Sequence, residues 1–153
     1  MPMYILQYQL VSKGRFDMSN CIFCSIVDKQ IPSKTVYEDD KFLAFLDIAP
    51  GSKGHVLIVP KIHAENLLDL PDEYASSILP LAKKIAAGMK KVLSFTDFNI
   101  IQNNGPLAGQ SVNHYHMHII PRYDGSEVSL WTPHENDPSV TDELASKISK
   151  QIG

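Results

Sequence analysis

The 153-residue sequence lacks several features that would place it in a specialised class of protein. No apolar run reaches the roughly 20 residues that a membrane-spanning helix needs. A formal net charge of −3 gives no electrostatic case for binding nucleic acid or a membrane surface. Internal repeats and low-complexity tracts are also missing. We therefore expect a small-molecule ligand, with no nucleic-acid or membrane partner.

Cysteine is scarce, because the chain has only Cys21 and Cys24, spaced C-x-x-C. The first residues, MPMYILQYQLVSKGRFDMSN, lack both a basic segment and a long apolar segment, so they do not have the pattern of a signal peptide. This predicts a cytoplasmic location. In that compartment the spacing favours a redox pair or metal ligands over a structural disulfide.

The composition, 44% hydrophobic and 20% charged, is that of one globular domain with a real core. Residues 1–17 do not connect obviously to the pattern of the domain, so we interpret them as an N-terminal extension upstream of a natural start at Met18. The alternative is an edge strand at YILQYQLV. We expect the domain over residues 18–125. Residues 126–153 form a polar, proline-rich tail with a helix over 141–151.

The domain should be α+β, because strand patterns cluster around one long helical pattern with short connections. Ser19 or Asn20 should cap a short helix over CIFCSIVDKQ. Strands are predicted at TVYEDD, KFLAFLDI, HVLIVPK, FNIIQNN and VNHYHMHIIP. A helix is predicted from Pro71 to about Ser94, kinked or divided at Pro80.

The most unusual segment is GQSVNHYHMHIIPR, where His114, His116 and His118 alternate with other residues. Alternation is the period of a β-strand, so the three imidazoles should share one face. Tyr115 and Met117 should pack on the core from the other face. Histidine acts as a metal ligand, a general acid or base, or a nucleophile. A single histidine is often only a satisfied polar group, but three in alternation indicate a functional face.

These residues resemble the histidine triad (HIT) family, whose motif alternates histidine with hydrophobic residues. Tyr115 is a mild departure from that motif. The segment from CIFC to PKIH is similar to the Hint-type branch, and the likeness extends over about residues 20–122. The resemblance implies a five-stranded antiparallel sheet with a long helix and a short N-terminal helix. It also implies a homodimer that joins two sheets, and activity at the α-phosphate of a purine nucleotide.

By this resemblance His116 is the nucleophile that forms a nucleotidyl-histidine. His118 would hydrogen-bond the phosphoryl oxygens, and His55 would hold the tautomer of the nucleophile. Ser111 resembles the serine near the bridging oxygen, and Asn103 the asparagine on the nucleotide side. Gln110 offers a carboxamide to the leaving group, although Gly, Asn and Ser in such a loop also fit plain turn chemistry.

The resemblance places the nucleoside at LAFLDIAP, where the Asp47 carboxylate would accept from both ribose hydroxyls. An apolar slot for the base would discriminate weakly between bases. The residues expected to line it, all of which could instead be simple core, are Ile22, Phe23, Ile26, Phe45 and Ile48.

A second cluster is predicted from C-x-x-C, because two cysteines and two histidines are a common structural zinc set. His63 and His114 are the candidates to join Cys21 and Cys24. Bacterial relatives with a similar opening carry zinc on such a set, so the resemblance implies a structural Zn²⁺. His114 would then brace the N-terminal segment against the catalytic strand. The alternative is that both cysteines are reduced, buried hydrophobes.

Three rival functions remain open at this point. A metal-dependent hydrolase that uses the triad as ligands is disfavoured, because residues i and i+4 of a strand lie about 13 Å apart. The sequence IIPR after the triad resembles the branch that cleaves dinucleoside polyphosphates, so such a hydrolase is an alternative. A dimeric module that binds nucleotides without turnover is the third.

Overall fold

The computed structural model describes residues 20–125, 128 and 131–153. The possible edge strand at YILQYQLV and the possible cap Ser19 lie outside the described residues. The described elements run in the order α1 (Ile22–Val27), β1 (Thr35–Glu38), β2 (Phe42–Leu46), β3 (Val56–Pro60), α2 (Asp72–Met89), β4 (Asp97–Gln102), β5 (Met117–Arg122) and α3 (Pro138–Ile152). None of these helices is long and apolar enough to cross a membrane.

The five strands form one antiparallel sheet in the order β1-β2-β3-β5-β4. This confirms the predicted α+β class and the five-stranded sheet. The connections from β1 to β2 and from β2 to β3 are short, whereas α2 intervenes between β3 and β4, and the loop over 103–116 joins β4 to β5. The neighbours β3 and β5 therefore bring together two segments that are about 60 residues apart in the chain.

Each face of the sheet carries its own apolar core, because side chains alternate along each strand. One face packs on α2 through residues such as Phe42, Val56, Ile58 and Ile119. The other packs on α1 through Leu43, Phe45, Leu57 and Val59, which meet Phe23 and Ile26. The sheet thus lies between a long helix and a short one. Tyr115 and Met117 join the α2 core as predicted.

The last strand begins later than predicted, so the expectation that it runs through His114 and His116 is wrong. The β3–β5 register pairs Ile58 with Met117 and, two residues further along, would set Pro60 opposite residue 115. Proline has no N–H, so the ladder cannot continue there. The amide of Tyr115 donates instead to the Ala64 carbonyl at 2.7 Å. The chain therefore leaves the sheet ahead of Met117, and the first two histidines precede the strand.

Helix bounds also differ from the sequence predictions. Cys21, rather than Asn20, caps α1, because its sulfur accepts from the Cys24 amide. Pro80 does not divide α2, which is continuous through it. Pro80 and Ser76 are both exposed, so water can hydrate the Ser76 carbonyl that proline leaves without a donor.

The chain divides after Tyr123 into two units, and the second is described by itself. Its helix α3 begins three residues earlier than predicted, because the Asp137 side chain accepts from the Ser139 amide and Pro138 occupies the first turn. All of its described residues are exposed, including Val128, Val140 and Leu144.

Candidate active site and metal centre

Three histidines predicted for the reaction centre meet where β3 and β5 begin. His118 lies in β5 opposite Leu57, and His55 directly precedes β3. The His55 and His118 rings are 5.1 Å apart between centroids, and the His116 and His118 rings are 4.9 Å apart. The structure therefore brings together three of the histidines that the sequence placed at the reaction centre.

A chain of hydrogen bonds determines which nitrogen of His118 carries its proton. The Gly51 amide donates to His55 Nδ1 at 2.9 Å, so the proton of the neutral ring must be on Nε2. That Nε2–H then donates to His118 Nδ1 at 2.8 Å. His118 consequently holds its own proton on Nε2, where it is a donor. The Gly51 amide was not predicted, since a main-chain group has no sequence signature.

His116 has the opposite arrangement, which leaves a lone pair free. Its Nδ1–H donates to the His114 carbonyl at 2.7 Å. A neutral imidazole with the proton on Nδ1 has its lone pair on Nε2. The ring is 5% exposed and lies edge-on to Phe23 at 5.1 Å. One backbone carbonyl therefore orients the His116 ring. The expectation that His55 holds the tautomer of His116 is wrong, because His55 bonds to His118 instead.

Burial keeps these rings neutral. It lowers the pKa of His116, and the His114 carbonyl and the Asp47 charge only partly oppose that effect. Burial also lowers the pKa of His118 to about 3, reinforced by His116 and His55. The pKa of His55 is lowered by burial and by Arg122, against the Asp47 carboxylate. At neutral pH the site therefore presents uncharged imidazoles.

These shifts predict a protein that loses stability in acid. Below about pH 6.5 an unfolded histidine takes up a proton while buried His118 does not, so the unfolded state binds more protons and the free energy of unfolding falls. The loss extends down to the folded pKa of about 3. We expect His118→Gln to reduce the slope of unfolding free energy against pH by up to about 1.4 kcal/mol per pH unit between pH 6 and 5. Urea unfolding at several pH values measures this, and parallel wild-type and variant slopes would contradict it.

Asp47 lies beside this cluster at the end of β2. Its Oδ1 accepts from the Ala49 amide at 2.8 Å, and its Oδ2 is 3.6 Å from His55 Nε2. The carboxylate therefore stabilises the local turn and faces the histidine pair. Neither contact uses all of its acceptor sites, so the predicted ribose contact stays a prediction.

The predicted base slot is largely core. Phe23, Ile26 and Phe45 are buried in the α1 core and have almost no accessible surface for a ligand. Ile22 is half-buried, and Ile48 is 66% exposed. Only these last two keep the surface that contact with a base requires, and that role remains a prediction for them.

The loop before the triad runs from Gly105 to Ser111. Gly105 and Gly109 both have positive φ, which glycine adopts without strain. The Asn103 amide nitrogen lies 3.7 Å from the position that a Gly109 side chain would take. Ser111 is exposed. The loop therefore presents Ser111 at the surface and leaves the Asn103 amide beside a glycine.

Gln110 does not fit its predicted role as a contact for the leaving group. Its Oε1 accepts from the Gly105 amide at 2.7 Å, and its Nε2 donates to the Glu65 and Val112 carbonyls at 2.6 and 3.0 Å. Both amide hydrogens are thus used inside the protein. The residue is 8% exposed, so its carboxamide braces the loop.

The second predicted cluster also comes together. The ligand atoms of Cys21, Cys24, His63 and His114 all lie within 4.8 Å of one another. His114 Nδ1 is 3.4 Å from Cys21 Sγ and 3.5 Å from Cys24 Sγ, and His63 Nδ1 is 3.4 Å from Cys24 Sγ. Tetrahedral zinc with bonds of about 2.0–2.3 Å separates its ligands by roughly 3.3–3.8 Å. These residues therefore fit a zinc ion.

The protonation of His114 also suits a metal ligand. Its Nε2–H donates to the Pro60 carbonyl at 2.9 Å, so its lone pair is on Nδ1 and faces the two sulfurs. Burial lowers the pKa of His114 to about 4. Burial and the neighbouring Cys21 raise the pKa of Cys24 to about 12. A thiol in this position gains strongly from a cation that holds it as a thiolate.

A third group, Asp47, His55 and His118, also has its potential ligand atoms within 4.8 Å of one another. The Gly51 amide assigns the proton of His55 to Nε2, the atom that faces the other two residues. A metal ion there would have to displace that proton and its bond to His118. This group is therefore arranged as a hydrogen-bonded pair beside a carboxylate. His114 and His118 belong to different groups, which disfavours one metal held by the whole triad.

A family model described as the HIT domain matches residues 28–125. The chain is 42% identical over 119 residues to the adenosine 5′-monophosphoramidase of Saccharomyces cerevisiae, covering 76% of this chain and 73% of that protein. A crystal structure of a HIT family protein from Bacillus anthracis superposes with a TM-score of 0.81 at 42% identity, over 88% of this chain and 98% of that one. A Zn-bound histidine triad family protein from Mycobacterium smegmatis has a TM-score of 0.67 at 33% identity, over 83% of this chain and 96% of that one.

Proposed function

Because the chain belongs to the histidine triad family, as its sequence predicted, we propose that it is a nucleotide hydrolase or nucleotidyl transferase acting on nucleoside phosphoramidates. The yeast relative named as an adenosine 5′-monophosphoramidase supports this activity and a purine nucleotide as substrate. The observation that carries the proposal is the bond from His116 Nδ1 to the His114 carbonyl, which leaves Nε2 as a nucleophile in a site of neutral imidazoles.

The reaction proceeds in two displacements at the α-phosphorus. His116 Nε2 attacks phosphorus, the bond from phosphorus to the leaving nitrogen breaks, and that nitrogen takes a proton that water supplies through the Ser111 hydroxyl. Water then attacks the nucleotidyl-histidine, the bond between phosphorus and nitrogen breaks, and a nucleoside monophosphate leaves. The His118 Nε2–H donates to a non-bridging oxygen in both steps and stabilises its developing charge. Ser111 lies at the leaving group, and Asn103 on the nucleotide side.

A panel of substrates tests this function. We expect adenosine and guanosine phosphoramidates to be turned over with a higher kcat/KM than dinucleoside polyphosphates. The reverse order would favour the dinucleoside polyphosphate hydrolase that IIPR resembles. Nucleotide binding with no turnover of any substrate, and no adduct on His116 in rapid-quench mass spectrometry, would indicate a binding module.

Asp47 provides a test of the nucleoside end. We expect Asp47→Ala to raise Kd for a ribonucleotide roughly ten- to a hundredfold, since a hydrogen bond to a charged acceptor contributes about 1.5–3 kcal/mol. Asp47→Asn keeps one acceptor and should cost less.

A 2′,3′-dideoxynucleotide lacks the hydroxyls and should bind wild type and Asp47→Ala nearly equally. Isothermal titration of the four combinations measures the coupling. Equal penalties for both ligands would mean that the Asp47 carboxylate acts only through the Ala49 amide and His55.

We also propose that Cys21, Cys24, His63 and His114 hold a structural Zn²⁺. The ligand distances, the lone pair of His114 and the Zn-bound relative from M. smegmatis support this assignment. A zinc ion supplies folding energy by joining the segment around α1 to the residues ahead of β5. Through the His114 backbone it also steadies the carbonyl that orients His116.

The remaining features of the proposal concern organisation. A homodimer that joins two sheets is supported by β4, an edge strand of the described sheet with Phe98 and Ile100 partly exposed. The HIT domain over 18–125, the extension over 1–17, the tail over 126–153 and a cytoplasmic location stay predictions. Two thiols kept as ligands suit a reducing compartment.

A further inference from the structure

The loop from Gly105 to Gln110 is closed on itself by backbone hydrogen bonds. The amides of Ala108 and Gln110 both donate to the Gly105 carbonyl at 3.1 Å, and the Gly109 amide donates to the Pro106 carbonyl at the same distance. These bonds give the loop its shape. They do not connect it to the rest of the domain, so its position relative to the domain needs other contacts.

The Gln110 side chain makes three hydrogen bonds, one within the loop and two outside it. One end returns to the Gly105 amide within the loop. The other end reaches the Glu65 carbonyl, two residues after His63, and the Val112 carbonyl, which adjoins Ser111. Val112 O also accepts from the His114 amide at 2.9 Å. One carboxamide therefore connects the loop, the segment that carries a metal ligand and the backbone just ahead of the triad.

Burial makes these contacts costly to exchange. Gln110 is largely buried, and both of its amide hydrogens already have carbonyl partners. Contact with substrate would break at least one of these bonds, and a hydrogen bond contributes about 0.5–1.5 kcal/mol. The side chain is thus held in its inward orientation, and Ser111, the next residue, is exposed.

We propose that Gln110 is a positioning residue, which holds Ser111 at the leaving group by tying its backbone to the segment after His63. The inference rests on the proposed function, because it concerns the proton that the leaving amine must acquire. A misplaced Ser111 should impair departure of a group that needs protonation. It should matter much less for a group that leaves as a stable anion, since that departure does not require proton transfer.

Two substrates with the same adenylyl group separate these cases in the zinc-loaded protein. One is a phosphoramidate of AMP, whose leaving group is an alkylamine. The other is the 4-nitrophenyl ester of AMP, whose leaving group is the 4-nitrophenolate anion. We expect Gln110→Ala to lower kcat/KM for the phosphoramidate at least roughly tenfold and for the ester less than about threefold, within the range of acid–base effects. The Kd of AMP should stay within about twofold.

Asn104→Ala is the matched control. The Asn104 side chain accepts from the Leu67 amide at 2.8 Å and so joins the same two segments, but on an exposed side. We expect it to change both substrates alike. Gln110→Glu is a second variant in case the alanine does not fold, because it keeps an acceptor for Gly105 while losing the donors to Glu65 and Val112. It should show the same selective loss.

The outcomes distinguish failure of the Gln110 positioning role from failure of the proposed function. An equal loss on both substrates with either Gln110 variant overturns the positioning role and leaves the proposed function standing. Wild-type protein that turns over neither substrate overturns the proposed function and, with it, this inference. A selective loss on the phosphoramidate, absent from Asn104→Ala, supports both.

Discussion

His116→Ala is expected to lower kcat by roughly 10³-fold or more, because removal of a nucleophile abolishes the covalent route and leaves only binding and charge stabilisation. The His116 ring is buried and contacts Phe23 and His118, so the variant loses packing as well as its Nε2 lone pair. The nucleotide contacts proposed for Asp47 and Asn103 do not involve this ring. AMP should therefore still bind with a Kd within a few fold of wild type.

Stopped-flow turnover and isothermal titration measure the two quantities on the same preparation. His134→Ala, which changes an exposed histidine that the sequence does not assign to the site, is the control for histidine removal as such. Retention of a tenth of the wild-type kcat by folded His116→Ala would show that another group is the nucleophile. A parallel loss of AMP binding would instead point to a collapsed site.

The second large effect concerns the metal centre. Purified protein should hold about one zinc per chain, and Cys21→Ser should remove most of it. The free energy of unfolding should then fall by about 4 kcal/mol, the stabilisation that a ligand gives at a thousand times its Kd. Atomic absorption and chemical denaturation measure both effects.

Cys21→Ser separates two roles of Cys21, as a metal ligand and as a helix cap. Its sulfur faces His114, and it also caps α1 by accepting from the Cys24 amide. Serine is a preferred N-cap residue, so Cys21→Ser keeps the cap while weakening the metal site. After chelation, wild type and variant should therefore unfold at the same denaturant concentration. A chelated wild type that is as stable as the loaded protein would disprove a structural metal.

Side-chain periodicity predicted the parts of the fold that depend on apolar burial. The alternation around Tyr115 and Met117 correctly indicated which residues face the α2 core, and the α2 pattern correctly located its helix. Periodicity could not show that Pro60 ends the β3–β5 ladder. That outcome depends on which residue of another strand the register sets opposite position 115.

The same limit applies to the candidate site. Residue types and the family resemblance indicated the two clusters, and the structure groups Cys21 with His114, and His55 with His118. The direction in which a polar side chain turns depends on partners far away in the chain. Gln110 looked like a ligand contact, but the Glu65 carbonyl, 45 positions earlier, holds it inward. Phe23 looked like part of a slot, but α1 buries it against β2 and β3.

Main-chain atoms fix the tautomers of His55, His114 and His116, and through His55 that of His118. The Gly51 amide begins the bonds that reach His118, the His114 carbonyl orients His116, and the Pro60 carbonyl orients His114. Alanine scanning leaves all of these atoms in place and would report none of them. Replacing single main-chain amides by esters, through chemical ligation, would perturb these hydrogen bonds directly.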